Sequence, residues 1–88
     1  MEKEKRRPSA GARPERAFGR VLREIRTSRG LSQEQLGFES GYHRTYISLL
    51  ERGLKSPSLG TITTLASTLG ITATEMIRRV ERQMGKAR

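Results

Sequence analysis

Three observations in the 88-residue sequence predict an all-α fold built from five helices. Apolar residues recur three and four positions apart, the spacing that lines one face of a helix. The segments that carry this pattern are punctuated by serine or threonine in front and glycine behind, the residue types that start and stop helices. Strand-like alternation of apolar and polar residues is absent, and no internal repeat appears.

The first helix is expected from about Glu15 to Arg29, where Phe18, Val21, Leu22 and Ile25 follow the i, i+3, i+4, i+7 rule, and it stops at Gly30. Ser32 is a good N-cap for the second, and Gln35 three residues later completes a capping box. Leu36 anchors that helix in the core, and Gly41 ends it where the chain needs a positive φ or a close backbone approach. In the third, Ile47 and Leu50 point inward and leave Arg44, Thr45, Ser48 and Leu49 on the outward face. The fourth opens after Pro57-Ser58, turns Leu59, Ile62, Leu65, Ala66 and Leu69 inward, and ends at Gly70. Thr72 and Glu75 form a second capping box that opens the fifth, whose Met76, Ile77, Val80 and Met84 share one stripe.

Residues 1–16 are expected to be a disordered basic arm. They contain no large apolar residue after Met1 and carry six basic against three acidic side chains, too little apolar surface to offset the entropy of ordering. Such an arm can follow phosphates or enter a minor groove, or simply solubilise the chain. Residues 17–85 are then the folded domain and 86–88 a short tail.

Composition narrows the function. A chain of this size holds one small core and no deep substrate cleft. The net charge of +9, with a pI of about 11.3, points to a polyanionic partner. With no cysteine, there are no disulfides, thiolates or Cys-based metal sites, and the single histidine, His43, is not a metal site. Nine scattered carboxylates without a nucleophile–base pair or a Gly-rich phosphate loop give no basis for an enzyme. No apolar run matches a membrane span or the core of a signal peptide, so the default location is the cytoplasm, in association with the nucleoid. Neither a cofactor nor a small-molecule ligand is implied.

The stretch from Leu31 to Gly53, LSQEQLGFESGYHRTYISLLERG, is two short helices joined by a tight turn. That is the pattern of a helix-turn-helix at helices 2 and 3, in which one helix braces and the next lies in the major groove of double-stranded DNA. At these residues the chain resembles the Cro/repressor-type (XRE) helix-turn-helix family: Gln33, Leu36, the small Gly37, the turn Gly41, Ile47, Leu50 and the closing Glu51-Arg52-Gly53 all fit. The apolar helix before the motif and the Pro57–Leu59 segment after it extend the resemblance over roughly Phe18 to Val80. Two positions depart from the pattern. Alanine is commoner at Gly37, and an apolar residue is usual at Ser40. Within the family, the segment from His43 to Ser48 and the preceding Leu36–Phe38 look most like the controller proteins of restriction–modification systems.

Arg44 and Thr45 stand at the end of the recognition helix that enters the groove first. Arginine can fork to guanine O6 and N7, and threonine can donate, accept or place its methyl on that of thymine. Ser48 and Leu49 lie one turn further along. Leu49 has no obvious core partner, and a thymine methyl or a dimer contact suits it. Tyr46 has two readings, a phosphate or base-step contact and packing in the core. Gln33, at a helix N-terminus where free N–H groups and the dipole attract anions, is assigned a phosphate contact by the resemblance as well. His43, as N-cap of the recognition helix, and Arg52 and Lys55, in the loop after it, are further candidates for the DNA backbone, with solvated charge as the alternative for the loop residues.

The resemblance further implies a partly buried ion pair between Arg26 and Glu51, structural rather than DNA-binding. It also offers the distal stripe of helix 5, Ile77, Val80 and Met84, as a homodimer surface, the alternative being the chain's own core. The sequence thus reads as a five-helix, repressor-like, sequence-specific transcription regulator that binds a pseudo-palindromic operator as a homodimer, with RNA polymerase as a further candidate partner. An antitoxin-type autorepressor and a non-specific basic nucleic-acid-binding or coactivator bridging protein are the rival readings.

Overall fold

The computed structural model describes residues 8–86. Residues 1–7 of the expected arm and residues 87–88 of the tail lie outside the described residues. Among the described residues the chain folds into five helices: α1 (Pro8–Ser28), α2 (Gln33–Ser40), α3 (Arg44–Glu51), α4 (Leu59–Leu69) and α5 (Ala73–Lys86).

α1 begins at Pro8, well before Glu15, so the stretch 8–16 of the expected arm is helical backbone. Pro14 lies inside the helix, where it has no N–H to give the preceding turn. Ala, Arg and Glu in this stretch are strong helix formers that extend an already nucleated helix at little cost, so helical backbone here does not require burial. Further along, Phe18, Val21, Leu22 and Ile25 are buried as their spacing requires.

Around the turn, local chemistry and structure agree. Ser32 accepts the backbone N–H of Gln35 at 3.0 Å while the Gln35 side chain accepts the backbone N–H of Ser32 at 2.8 Å. Gly41 closes α2 in the left-handed region, φ 85°, and its N–H reaches the carbonyl of Gly37. Leu36, Ile47 and Leu50 are wholly buried.

The later helices differ from the sequence reading in detail. Ser58 caps α4, but Leu59, expected inward, is 76% exposed, whereas Thr61, two residues on, is buried. Thr61 is held there by hydroxyls: Ser58 donates to its Oγ1 at 3.0 Å and Tyr42 at 3.2 Å. At the start of α5, Thr72 accepts the N–H of Glu75 at 3.0 Å, which is half of the expected capping box. The Glu75 carboxylate instead takes Arg78 at 2.6 Å and Arg79 at 3.0 Å. Those two hydrogen bonds, Arg79 first, hold its carboxyl below the ordinary carboxylate range.

α1 packs against α5 and α3, α2 against α3, and α4 against α2 and α5. Met76 is wholly buried and Val80 is 6% exposed, while Met84 is half-buried against the same core. Of the three residues expected to form a dimer surface, one is buried. Val80 is taken into the chain's own core, because α1 lies along α5, while Met84 packs against the edge of that core and stays half-buried. Ile77, one position off that contact line, is 38% exposed.

Candidate nucleic-acid interface

α3 has two faces of opposite character. Ile47 and Leu50 fix one face in the core, so the helix cannot roll. On the other, Arg44 and Thr45 are exposed, with Ser48 and Leu49 half-buried one turn below them. Leu49 is half-buried and does not belong to the core cluster. His43 caps the helix, its Nδ1 accepting the N–H of Thr45 at 3.1 Å. The cap places Arg44 at the first position of the helix, with its side chain pointing ahead of the N-terminus toward α2.

There the Arg44 guanidinium lies 3.9 Å from Glu34, and both side chains are mostly exposed, 63% and 76%. An open ion pair at that distance contributes little, so Arg44 can exchange Glu34 for a stronger acceptor. Glu34 and Arg44 lie on different helices, and only the turn brings them together, so no local spacing in the sequence connects them.

Below this face sits a buried ionic knot. Arg26 donates through Nε to Glu51 at 2.6 Å, through Nη2 to the other carboxylate oxygen at 3.0 Å, and through Nη1 to the carbonyl of Leu31 at 2.7 Å. The Glu51 side chain is only 3% exposed. The bidentate bond to Glu51 raises the pKa of Arg26 above its ordinary value against the opposing effect of burial. Gln33 joins the knot, its Nε2 donating to Glu51 at 3.0 Å. The residue expected to meet a phosphate is thus pinned by its own side chain at the N-terminus of α2.

Tyr46 resolves toward the protein. Its ring packs on the core and lies 5.2 Å from that of Tyr42, and its hydroxyl is 3.3 Å from Thr61. Of the two readings of Tyr46, the structure shows packing on the core, with the hydroxyl toward Thr61 at the start of α4, because Tyr46 sits on the flank of α3 between its buried and outward rows. Thr61, at the centre of this hydroxyl cluster, was missed. A buried threonine three residues after an N-cap leaves no trace in an apolar pattern. Arg52, the C-cap of α3, and Lys55 in the following loop are both exposed, and neither pairs with a carboxylate among the described residues. No cluster of metal-ligating side chains occurs among the described residues, and no described helix is long and apolar enough to cross a membrane.

Comparison with known proteins agrees with this geometry. A family profile described as helix-turn-helix matches residues 22–76. The chain is 43% identical over 61 residues to control protein C.BamHI of Bacillus amyloliquefaciens, a match spanning 68% of this chain and 75% of that protein. The crystal structure of the restriction–modification controller protein C.AhdI from Aeromonas hydrophila superposes with a TM-score of 0.67 at 48% identity, covering 69% of this chain and 92% of the other. The clp gene regulator ClgR from Corynebacterium glutamicum superposes with a TM-score of 0.81 at 26% identity, over 84% of this chain and 79% of that one. With this profile across the motif and this outward face on α3, the chain belongs to the helix-turn-helix family of DNA-binding transcription regulators, and within it to the Cro/repressor (XRE) type.

Proposed function

We propose that this regulator binds a pseudo-palindromic operator as a homodimer and acts as the controller of a restriction–modification system. The observation that carries the reading is α3 itself: Ile47 and Leu50 lock one face in the core, while on the other Arg44 and Thr45 are exposed and Ser48 and Leu49 half-buried. In this reading Arg44 and Thr45 meet base edges, and Ser48 and Leu49 extend the footprint by one turn. The cap at His43, the pinned Gln33, and Arg52 and Lys55 serve the DNA backbone. The identity to C.BamHI and C.AhdI, 43% and 48%, supports the controller role.

The homodimer forms through Ile77 rather than through the buried Val80. Ile77 borders an apolar groove between α4 and α5 with Leu59, Ile62 and Ala73, flanked by Arg78 and Glu81. Leu59 and Ile77 are exposed there, and opposite charges beside an apolar strip suit a two-fold, self-complementary contact. RNA polymerase, the further partner, would need another apolar surface, and Phe38 on α2, 87% exposed, offers one. Acting on chromosomal DNA, the protein would work in the cytoplasm at the nucleoid.

Binding to a panel of single-base operator variants at two salt concentrations tests the assignment. Arg44→Ala should cost roughly 1–3 kcal/mol on the preferred site and relax the requirement at one base pair per half-site, a guanine. Lys55→Ala should weaken every sequence alike and lower the salt slope by about one. If Arg44→Ala weakens the whole panel equally, Arg44 is a phosphate clamp, and the reading of α3 as an arginine-led base reader fails.

A further inference from the structure

α1 and the end of α3 enclose a second positively charged feature, separate from the outward face of α3. It is a groove of about 540 Å³ lined by Arg16, Arg20, Arg23 and Arg52, with Glu24, Thr27 and Glu51. The three arginines of α1 recur at i, i+4 and i+7, so they form one stripe about 10 Å long. Arg52 faces them from the C-cap of α3. All four are exposed, and none pairs with a carboxylate among the described residues. Glu51 is already committed to Arg26 and Gln33, which leaves Glu24 as the single uncommitted acid among four arginines. The walls are in close register. A Cβ added at Gly53 would meet the Cα of Arg16 at 3.0 Å, and one added at Gly19 would meet the carbonyl oxygen of Glu51 at 2.6 Å.

We propose that this groove binds the phosphodiester backbone of DNA flanking the operator half-site, so that α1 extends the footprint beyond the bases read by α3. The proposal rests on the reading of α3 as the recognition helix. Continuity favours DNA over an acidic protein segment: Arg52 follows α3 directly, and the floor of the groove, Glu51, is bonded to Gln33 at the N-terminus of α2. The length fits as well. A strand of B-DNA carries one charge per about 3.4 Å of helix axis, so a 10 Å stripe spans about three phosphates. Four guanidinium groups left without partners on a folded surface repel one another, and a row of phosphates relieves that repulsion.

The test compares wild type with the triple variant Arg16→Gln, Arg20→Gln, Arg23→Gln on two duplexes that share one operator. One duplex ends at the operator boundary, and the other continues about one helical turn beyond it on each side. Circular dichroism melts verify that the triple variant folds as wild type does. Wild type should show the steeper salt dependence on the extended duplex, and the triple variant should lose about two to three units of that slope there. On the trimmed duplex the two proteins should bind alike. Equal binding on the extended duplex overturns the proposal and leaves an acidic protein segment as the occupant. Equal losses on both duplexes also overturn it, by placing the arginines inside the operator footprint. Failure of wild type to distinguish operator from random duplex would instead bring down the parent reading, a result visible on the trimmed duplex alone.

Discussion

Glu51 touches all three elements that frame the turn. It closes α3, accepts both bonds of the Arg26 fork from α1, and accepts the Gln33 amide from the start of α2. Its burial makes the interaction asymmetric. The intact pair adds little net stability, because two charges have been taken out of water, but removing one partner strands the other. Arg26→Ala should therefore destabilise the fold by about 3–5 kcal/mol in denaturant melts, while Arg26→Met combined with Glu51→Leu should cost less. If Arg26→Ala melts like wild type while DNA affinity collapses, the arginine is a DNA ligand and the knot is not a structural device. The contrast with Arg44 is one of exposure. The Arg44–Glu34 pair is open to water and loosely held, so Arg44 remains available to a ligand, whereas Arg26 does not.

Each helix of the motif is positioned by a contact that apolar spacing cannot encode. α3 lies against α1 at Gly19, where any Cβ would collide with the carbonyl oxygen of Leu50 and come within 2.6 Å of that of Glu51. Both neighbours are backbone, so a flexible side chain cannot yield to make room. Gly19→Ala gains about 1 kcal/mol of helix propensity, yet it should destabilise the protein by about 1–3 kcal/mol through overpacking and shift α3 relative to α1. Thermal melts and operator affinity should both fall. A more stable variant with unchanged affinity would show that the two helices can separate without consequence. On the other flank, Thr61 ties Tyr42 and Tyr46 to the N-terminus of α4, so the recognition helix is clamped between a close backbone contact and a hydroxyl cluster.

Among the described residues Phe38, Leu54, Leu59 and Ile77 are the exposed large apolar side chains, and of these Leu59 and Ile77 share one groove. Arg44, Arg52, Lys55 and the α1 stripe are exposed cations, whereas Leu59 and Ile77 are exposed apolar side chains beside the groove of α4 and α5. For a two-fold dimer to read both half-sites, its recognition helices must enter successive major grooves, with half-sites centred about 34 Å apart. Leu59→Glu with Ile77→Glu should give a folded monomer, because neither side chain is part of the buried core, and it should bind a palindromic site far more weakly than wild type does, about as it binds a single half-site. Sedimentation as an unchanged dimer would remove this face from the assembly. Val80→Glu would be a poor test, since a charge at a position 6% exposed unfolds the monomer as readily as it separates a dimer.

Sequence by itself determined the helices, their capping at Ser32 and Ser58, the left-handed turn at Gly41 and the outward identity of Arg44, Thr45, Ser48 and Leu49. Each of these depends on residues within one or two turns of one another, where spacing, side-chain oxygens and backbone sterics act directly. The tertiary structure alone decided which side of α5 is spent on the core, that Tyr46 turns inward, that Thr61 rather than Leu59 is buried, and that the arginines of α1 face Arg52 across a groove. Those outcomes depend on which helix covers which, and a stripe of apolar or basic residues looks the same in sequence whether a neighbour covers it or water does. Burial is a property of two surfaces, and a one-dimensional pattern describes only one of them.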